Sequence, residues 1–293
     1  MEKRYIYALG FFDGVHLGHQ ALLEACAALA EANGLEPGAV TFGTHPEALT
    51  QGGAPVLINT PADRERLLSR FVRRVITLPF DEHIRTMAWE DFLELLAGSY
   101  GAAGFVCGDD FRFGHKGAGN GSLLENWCRQ RGLPFAQVPE QTLEGIRVSS
   151  THIRALLEEG RLEEADRFLG HPHILTGTVV PGKQLGRRLG IPTANLRLPE
   201  GTARMKHGVY ACRCRLEGRD YAAVTNIGLR PTVSGRGVTV EPWILGWEGD
   251  LYGREITLEF LAFLRPEERF DSLEALKEAI HRDAERAARI AES

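Results

Sequence analysis

Gly10-Phe11-Phe12-Asp13-Gly14-Val15-His16-Leu17-Gly18-His19 stands between an apolar run, Tyr5 to Leu9, and a helical pattern that begins near Gln20 and continues to about Ala32. A strand followed at once by a glycine-rich turn and a helix start is a ready anion site. Gly10, Gly14 and Gly18 let the backbone turn tightly and approach a ligand, and a helix N-terminus offers unpaired N–H groups and the positive end of a dipole. Here the site carries two histidines. The three-residue spacing of His16 and His19 across Gly18 aims both at one cleft, where each can donate to phosphate oxygens as charge shifts during a transfer reaction.

Working outward, short apolar runs alternate with helical patterns: Ala39 to Phe42, a helix from Pro61, Val75 to Leu78, then Phe105 to Cys107. Thr60 before Pro61 reads as a helix cap followed by the favoured first-turn proline. Runs this continuously apolar suit parallel strands buried on both faces, so the first half is expected to be a doubly wound, Rossmann-like α/β sheet. Cys107-Gly108-Asp109-Asp110-Phe111-Arg112-Phe113-Gly114 then ends a strand in a polar, aromatic loop on the side where such sheets bind ligands. Val148-Ser149-Ser150-Thr151-His152-Ile153-Arg154 opens a further helix. Ser150 or Thr151 can serve as its cap, and Arg154 on the first turn beside a helix N-terminus suits a phosphate anion.

After about His173 the stretches lengthen into strand-like segments: His173 to Val180, Gly208 to Leu216, Asp220 to Ile227, Val238 to Trp247 and Glu255 to Leu264. Turn signals such as Glu217-Gly218 and Glu248-Gly249-Asp250 separate some of them, which predicts an antiparallel barrel or sandwich. Asp271 to about Ile290 has a D-x-x-E start and helical apolar spacing, expected to lie on that β unit. The boundary is placed between Leu169 and His173, giving domains at 1–170 and 171–293. A chain of 293 residues is comfortable for two such cores.

With 43% hydrophobic and 25% charged residues and a net charge of -5, nothing recommends nucleic acid or an anionic membrane as partner. No apolar run has membrane-spanning length, and Met1 to Tyr7 reads as a charged lead into a strand rather than a signal peptide, so a cytoplasmic location is expected. Five cysteines, Cys26, Cys107, Cys128, Cys212 and Cys214, include no C-x-x-C pair and are expected to be reduced. Cys212 and Cys214 alternate with Arg213 and Arg215, which puts the sulfurs on one strand face and the arginines on the other.

The second half opens with Gly177-Thr178-Val179-Val180-Pro181-Gly182-Lys183-Gln184-Leu185-Gly186-Arg187-Arg188-Leu189-Gly190-Ile191-Pro192-Thr193-Ala194-Asn195. It lacks G-x-x-x-x-G-K-[ST] and is no P-loop. A glycine-rich loop between strands can still cradle phosphates, with the Thr193 hydroxyl and Asn195 amide suited to Mg²⁺ and phosphate oxygens, although such loops are more often plain turns.

Taken together, these strings resemble the bacterial bifunctional riboflavin kinase/FMN adenylyltransferase (FAD synthetase) family over nearly the whole chain. Gly10 to His19 is similar to its G-N-F-D-G-x-H-x-G-H, Gly108 to Gly114 to its G-x-D-F-x-F-G, and Gly186 to Asn195 to its G-R-x-L-G-x-P-T-A-N. Asn226-Ile227-Gly228-Leu229-Arg230-Pro231-Thr232, Val240-Glu241 and Leu251-Tyr252-Gly253 keep the family's order.

The resemblance implies an FMN adenylyltransferase domain followed by an all-β barrel riboflavin kinase domain with a C-terminal helix, acting on riboflavin, FMN and ATP with Mg²⁺ and yielding FAD. It implies that His16, His19 and Arg154 act on the phosphates in adenylyl transfer, while Gly10, Phe12, Asp13, Gly14, Gly18, Asp110, Ser150 and Thr151 bind its nucleotide and flavin. In the kinase, Gly182, Lys183, Gly186 and Asn226 would bind substrate, Thr193 and Asn195 the metal, and Glu241 would be the base for the ribityl hydroxyl. Two departures stand out. Phe11 replaces the family's usual asparagine, and Pro242-Trp243 follow Glu241 where V-E-x-H is usual, so this strand is expected to be an edge or bulged beside the site. The sequence does not reveal an oligomeric state.

Overall fold

The computed structural model describes residues 4–44, 56–182, 190–198, 201–202, 205–232 and 235–292. Its contacts divide the chain into two compact units, Met1–Leu57 with Arg64–Ser150, and Ile58–Asp63 with Thr151–Ser293.

In the first unit, β1 (Tyr5–Leu9), α1 (Leu17–Ala32), β2 (Glu36–Phe42), α2 (Pro61–Leu68), β3 (Arg74–Leu78), α3 (Glu82–Thr86), α4 (Trp89–Tyr100) and β4 (Ala102–Gly108) follow in order. Two hairpin pieces, β5 (Arg112–Phe113) and β6 (Gly119–Asn120), lead to α5 (Gly121–Arg131) and β7 (Phe135–Val138), and a further hairpin, β8 (Thr142–Leu143) with β9 (Ile146–Arg147), ends the unit. The sheet order is β3-β2-β1-β4-β7, with every pair parallel.

β1 is buried at all five positions because both its faces are covered. Tyr7 and Leu9 pack with Phe92, Leu96 and Trp127 of α4 and α5. On the other face, Cys26 of α1 donates its thiol to the Ile6 carbonyl at 3.1 Å. The expected doubly wound sheet is therefore present, and its order reverses beside β1, which places the loop after β1 at the crevice such a switch point creates.

The second unit contains α6 (Ser150–Glu159, whose first residue is grouped with the first unit), α7 (Leu162–Leu169), β10 (His173–Val180), β11 (Asn195–Arg197), β12 (Gly208–Leu216), β13 (Arg219–Thr232), β14 (Gly235–Ile244), β15 (Glu255–Arg265) and α8 (Leu273–Glu292). The strands form a closed antiparallel barrel, β10-β11-β14-β13-β12-β15, so the alternative of an open sandwich is excluded. Closure comes from the β10–β15 ladder, which runs from His173↔Phe260 to Thr178↔Glu255.

Asp63, fully buried, joins this unit by accepting from the Thr176 N–H at 3.0 Å and from the Thr176 hydroxyl. Its own N–H donates to the Thr60 hydroxyl at 3.0 Å, which is the helix cap the Thr60-Pro61 pair predicts. α8 lays Ala284 and Ala287 on Val209, Ala211 and Val224 of β12 and β13. It is capped by Ser272, whose hydroxyl accepts from Ala275 N–H at 3.1 Å, so the D-x-x-E reading of its start is displaced by one residue.

All five cysteines are free and buried; Cys212 and Cys214 point inward while Arg215 is exposed. Among the described residues no helix is long and apolar enough to cross a membrane.

Candidate active site

In the first unit the chain leaves β1 through a turn in which Phe12 (φ 61), Gly14 (φ 84) and Val15 (φ 43) all take left-handed backbone. Only Gly14 adopts it without steric cost; a β-branched residue there is strained, and strain of this kind persists only where surrounding bonds over-determine it. Here the Thr41 hydroxyl donates to the Phe11 carbonyl at 2.8 Å and the Ser150 hydroxyl to the Asp13 carbonyl at 2.9 Å. Ser150 is thus tied to the turn across 137 residues of sequence.

α1 starts at Leu17, one turn earlier than the apolar pattern indicates, because His16 itself is the N-cap: its Nδ1 accepts from the His19 N–H at 3.3 Å. The two imidazoles stack, with centroids 3.6 Å apart and planes 14° apart, and the Phe12 ring meets His19 edge-on at 5.2 Å. A side chain at Gly18 would place its Cβ 3.3 Å from the His16 ring, so the glycine in the motif makes room for that imidazole. Burial, then the neighbouring His16 and Arg64, hold His19 well below the ordinary histidine pKa of 6.5. A neutral imidazole at the start of a helix is a hydrogen-bond donor to phosphate without being an acid.

Gly10, Phe12, Asp13, Gly14, Gly18, His16, His19 and Ser150 are all gathered in or against this turn. Thr151 and Arg154 lie on the first turn of the helix that Ser150 opens, where the Arg154 guanidinium donates to the Thr151 hydroxyl at 3.2 Å. Asp110 stands apart in an exposed network, accepting from Arg147 at 2.8 Å, while Arg147 also pairs with Glu140.

Sequence reasoning missed Arg64. It lies in the Asp63-Arg64-Glu65-Arg66 run, which reads as a solvated helix face, yet it is 1% exposed.

In the barrel, Asn226 and Glu241 are register partners on β13 and β14. They open into one cavity of about 350 Å³ together with Thr193, Trp243, Arg265 and Phe270. Thr193 also lines a larger cavity, about 670 Å³, with Trp247 and Tyr252. Gly182 and Asn195 face each other in a third, of about 410 Å³. Lys183 and Gly186 lie outside the described residues.

Of the two alternatives expected at Pro242, an edge or a bulge, the bulge is absent: the β13–β14 register is unbroken from Thr232↔Gly235 to Ala223↔Ile244. The strand is nonetheless open on its other side there, since β11 pairs it only at Leu196↔Val240, and the Pro242 carbonyl instead accepts from Ala194 N–H at 2.8 Å. Proline is tolerated where a ladder has ended, and this bond fixes the backbone between Thr193 and Asn195.

A Cβ at Gly182 would fall 2.6 Å from Asn195 Cγ. Gly182→Ala must therefore displace the Asn195 amide. With Asn195 in the role the family resemblance implies, riboflavin phosphorylation in that variant is expected to fall by ~10²-fold, the cost of misplacing a positioning group by about an ångström. FAD formation from supplied FMN should be unchanged; chromatography of each half-reaction checks both.

A strained turn with paired histidines at a helix start, and a barrel cavity lined by a carboxylate, a hydroxyl and an amide, are two separate candidate sites, each of a kind that suits phosphate chemistry. Comparison with known proteins supplies the particulars. The family model described as FAD synthetase matches residues 1–152, and that described as riboflavin kinase matches residues 169–291. A bifunctional riboflavin kinase/FMN adenylyltransferase of Pseudomonas fluorescens is 36% identical over 98% of this chain and 93% of its own length. That of Escherichia coli K12 is 34% identical over 96% and 91%. A solved structure from Streptococcus pneumoniae, described as a macrolide-efflux protein, superposes with a TM-score of 0.86 at 29% identity, covering 98% of this chain and 95% of the other; the efflux activity in that description stays with that protein. The chain belongs to the bifunctional riboflavin kinase/FMN adenylyltransferase family.

Proposed function

We infer that this chain carries out two ATP-dependent steps in series, phosphorylation of riboflavin to FMN in the barrel domain and adenylylation of FMN to FAD in the α/β domain. The domains are taken to meet between Leu169 and His173, a division supported by the start of the riboflavin kinase match at residue 169. The observation that carries the kinase assignment is Thr193, a wall shared by the cavity that holds Glu241 and Asn226 and by the larger cavity beside it. A hydroxyl acceptor on one side and a nucleotide on the other would meet across that residue. The isoalloxazine is assigned to the smaller cavity, against Trp243 and Phe270, and ATP to the larger.

In the kinase reaction the ribityl 5′-hydroxyl attacks the γ-phosphorus of ATP, its proton passes to Glu241 and ADP leaves. Asn226, paired with Glu241 in register, orients the hydroxyl. Gly182, with Lys183 and Gly186, is assigned to the phosphates.

The donor set suits a hard cation: the Asn195 carbonyl and Thr193 hydroxyl are neutral oxygens, and the bare Gly182 leaves the Asn195 side chain room that a Cβ would take. Among the described residues no cluster of three or more His, Cys, Asp or Glu side chains offers an alternative. Mg²⁺ held by Thr193 and Asn195 would neutralise phosphate charge.

In adenylyl transfer an FMN phosphate oxygen attacks the α-phosphorus of ATP and pyrophosphate leaves. His16 and His19 donate to the α-phosphate oxygens as charge moves onto them, and the positive end of α1 adds to that stabilisation. Gly10, Phe12, Asp13, Gly14, Gly18 and Ser150, which belong to the turn or bond to it, are assigned to nucleotide and flavin, while Arg154 is assigned to the pyrophosphate, and Asp110 and Thr151 to substrate, on the family resemblance alone. Neither step calls for a membrane or nucleic acid, and a cytoplasmic location is assigned in keeping with that chemistry.

Incubation with riboflavin, ATP and Mg²⁺, followed by chromatography over time, is expected to show FMN first and FAD after it. FMN accumulating without FAD, even when FMN is supplied, would remove adenylylation from the assignment; no consumption of riboflavin would remove the kinase.

A further inference from the structure

Arg64 is among the largest fully buried side chains of the chain. Its guanidinium lies over the Phe11 ring, 4.2 Å from the centroid, and its Nη2 donates to the Phe42 carbonyl at 2.6 Å. Nε and Nη1 are buried with no hydrogen-bond partner among the described residues. A buried cation with two unmet donors is destabilising unless its charge is put to use. Burial pushes its pKa down to about 10, against the favourable pull of Asp13, and at that value it is still charged at neutral pH. Packing alone would be served better by leucine or methionine.

What surrounds it gives the charge a use. Phe11 and Asp13 belong to the strained turn, Phe42 ends the neighbouring strand β2, and the guanidinium charge adds to burial and His16 in holding the His19 pKa down. His19 Nδ1 is likewise buried without a partner among the described residues. The charged and titratable groups set against His19 are His16 from the turn and Arg64 from α2, with Asp13 acting on Arg64.

We propose that Arg64 is a positioning residue of the adenylyl-transfer site, a fixed positive charge clamped between Phe11 and Phe42 that holds the turn and sets His19 to receive phosphate. A cation in this low-dielectric setting repels a proton from the imidazole, so His19 enters the reaction neutral, and it lowers the energy of the anions gathered in front of the histidines. Phe11 thereby has a function of its own: its ring face is the platform that fixes the guanidinium plane.

The inference rests on the assignment of His16 and His19 to adenylyl transfer. It is tested in the full chain with Arg64→Gln, which is neutral but keeps a donor for Phe42, and Arg64→Lys, which keeps the charge. FAD formation from FMN is measured as kcat and KM against pH, with riboflavin phosphorylation as the internal control and the His19 imidazole followed by NMR titration.

In Arg64→Gln, kcat for FAD formation is expected to fall by ~10²-fold, with its acid limb and the His19 titration both moved to higher pH and FMN formation unchanged. Arg64→Lys should keep the wild-type pH profile and recover most of kcat. The proposal is overturned if Arg64→Gln leaves His19 titrating as in wild type, or if Arg64→Lys shifts the acid limb as far as a neutral side chain does. Should Arg64→Gln not fold, Arg64→Met, neutral and suited to a buried apolar site, takes its place in the comparison with Arg64→Lys. A wild-type chain that makes FMN but never FAD would instead sink the underlying assignment.

Discussion

His19→Ala protein is expected to convert riboflavin to FMN at the wild-type rate and to stop there, with FAD formation lowered by ~10²–10⁴-fold. The size follows from what is removed. The imidazole is stacked on His16 and held neutral, so its N–H is a donor fixed in place before the phosphates arrive. The selectivity follows from what remains: the bond that caps α1 runs from the His19 backbone N–H to His16 Nδ1, and alanine keeps that N–H. The helix start should therefore survive, and thermal unfolding of the variant should track wild type. Because His19 titrates well below 6.5, wild-type FAD formation should hold as pH falls through that value and fail only at lower pH. Failure of both half-reactions in His19→Ala would mean the two sites are not independent.

The complementary result is expected of Glu241→Gln: FMN formation lowered by ~10²–10⁴-fold, the usual worth of a positioned general base, with FAD formation from supplied FMN intact. Glutamine keeps the shape of the side chain and the Asn226↔Glu241 register of β13 and β14, so the barrel closes as before. Only the proton acceptor is lost. A variant that still phosphorylated riboflavin at the wild-type rate would show that the carboxylate is not the base, and the search would pass to Glu267 and Glu268, which line the same cavity. Together with His19→Ala, this pair separates the two activities within one polypeptide.

Much of the fold is legible locally. The runs at 5–9, 39–42, 75–78 and 105–107 became four parallel strands because strands in such a sheet are largely apolar, with Thr41 and the exposed Thr77 of the edge strand β3 the exceptions, a pattern visible without any partner. The Thr60 cap was readable for the same reason, since donor and acceptor are three residues apart. β11 was not: three residues, Asn195–Arg197, carry too little alternation to be seen, and they are a strand because β10 and β14 flank them. The choice of barrel over sandwich depended on the β10–β15 ladder, whose partners are far apart in sequence.

The sites divide in the same way. His16, Gly18 and His19 could be picked out by residue type and spacing, as could Thr193, Asn195 and Glu241 once their strings were set beside the family's. That His16 caps the helix, that its ring stacks on His19, and that Gly18 and Gly182 make room for the His16 and Asn195 side chains are facts of packing. Arg64 is the clearest case, for it sits among charges that look solvated and is buried only because Phe11, Phe42 and Asp13 converge on it from other elements.

By itself, then, the sequence determined the class of each domain and the order of the two chemistries, and proposed candidate residues for each, because helix starts, buried strands and phosphate-binding turns are written in neighbours a few residues apart. Tertiary structure alone decided barrel closure, the cavity wall that Thr193 shares and the buried charge behind His19, because each requires groups tens of residues apart to meet in a medium from which water is excluded.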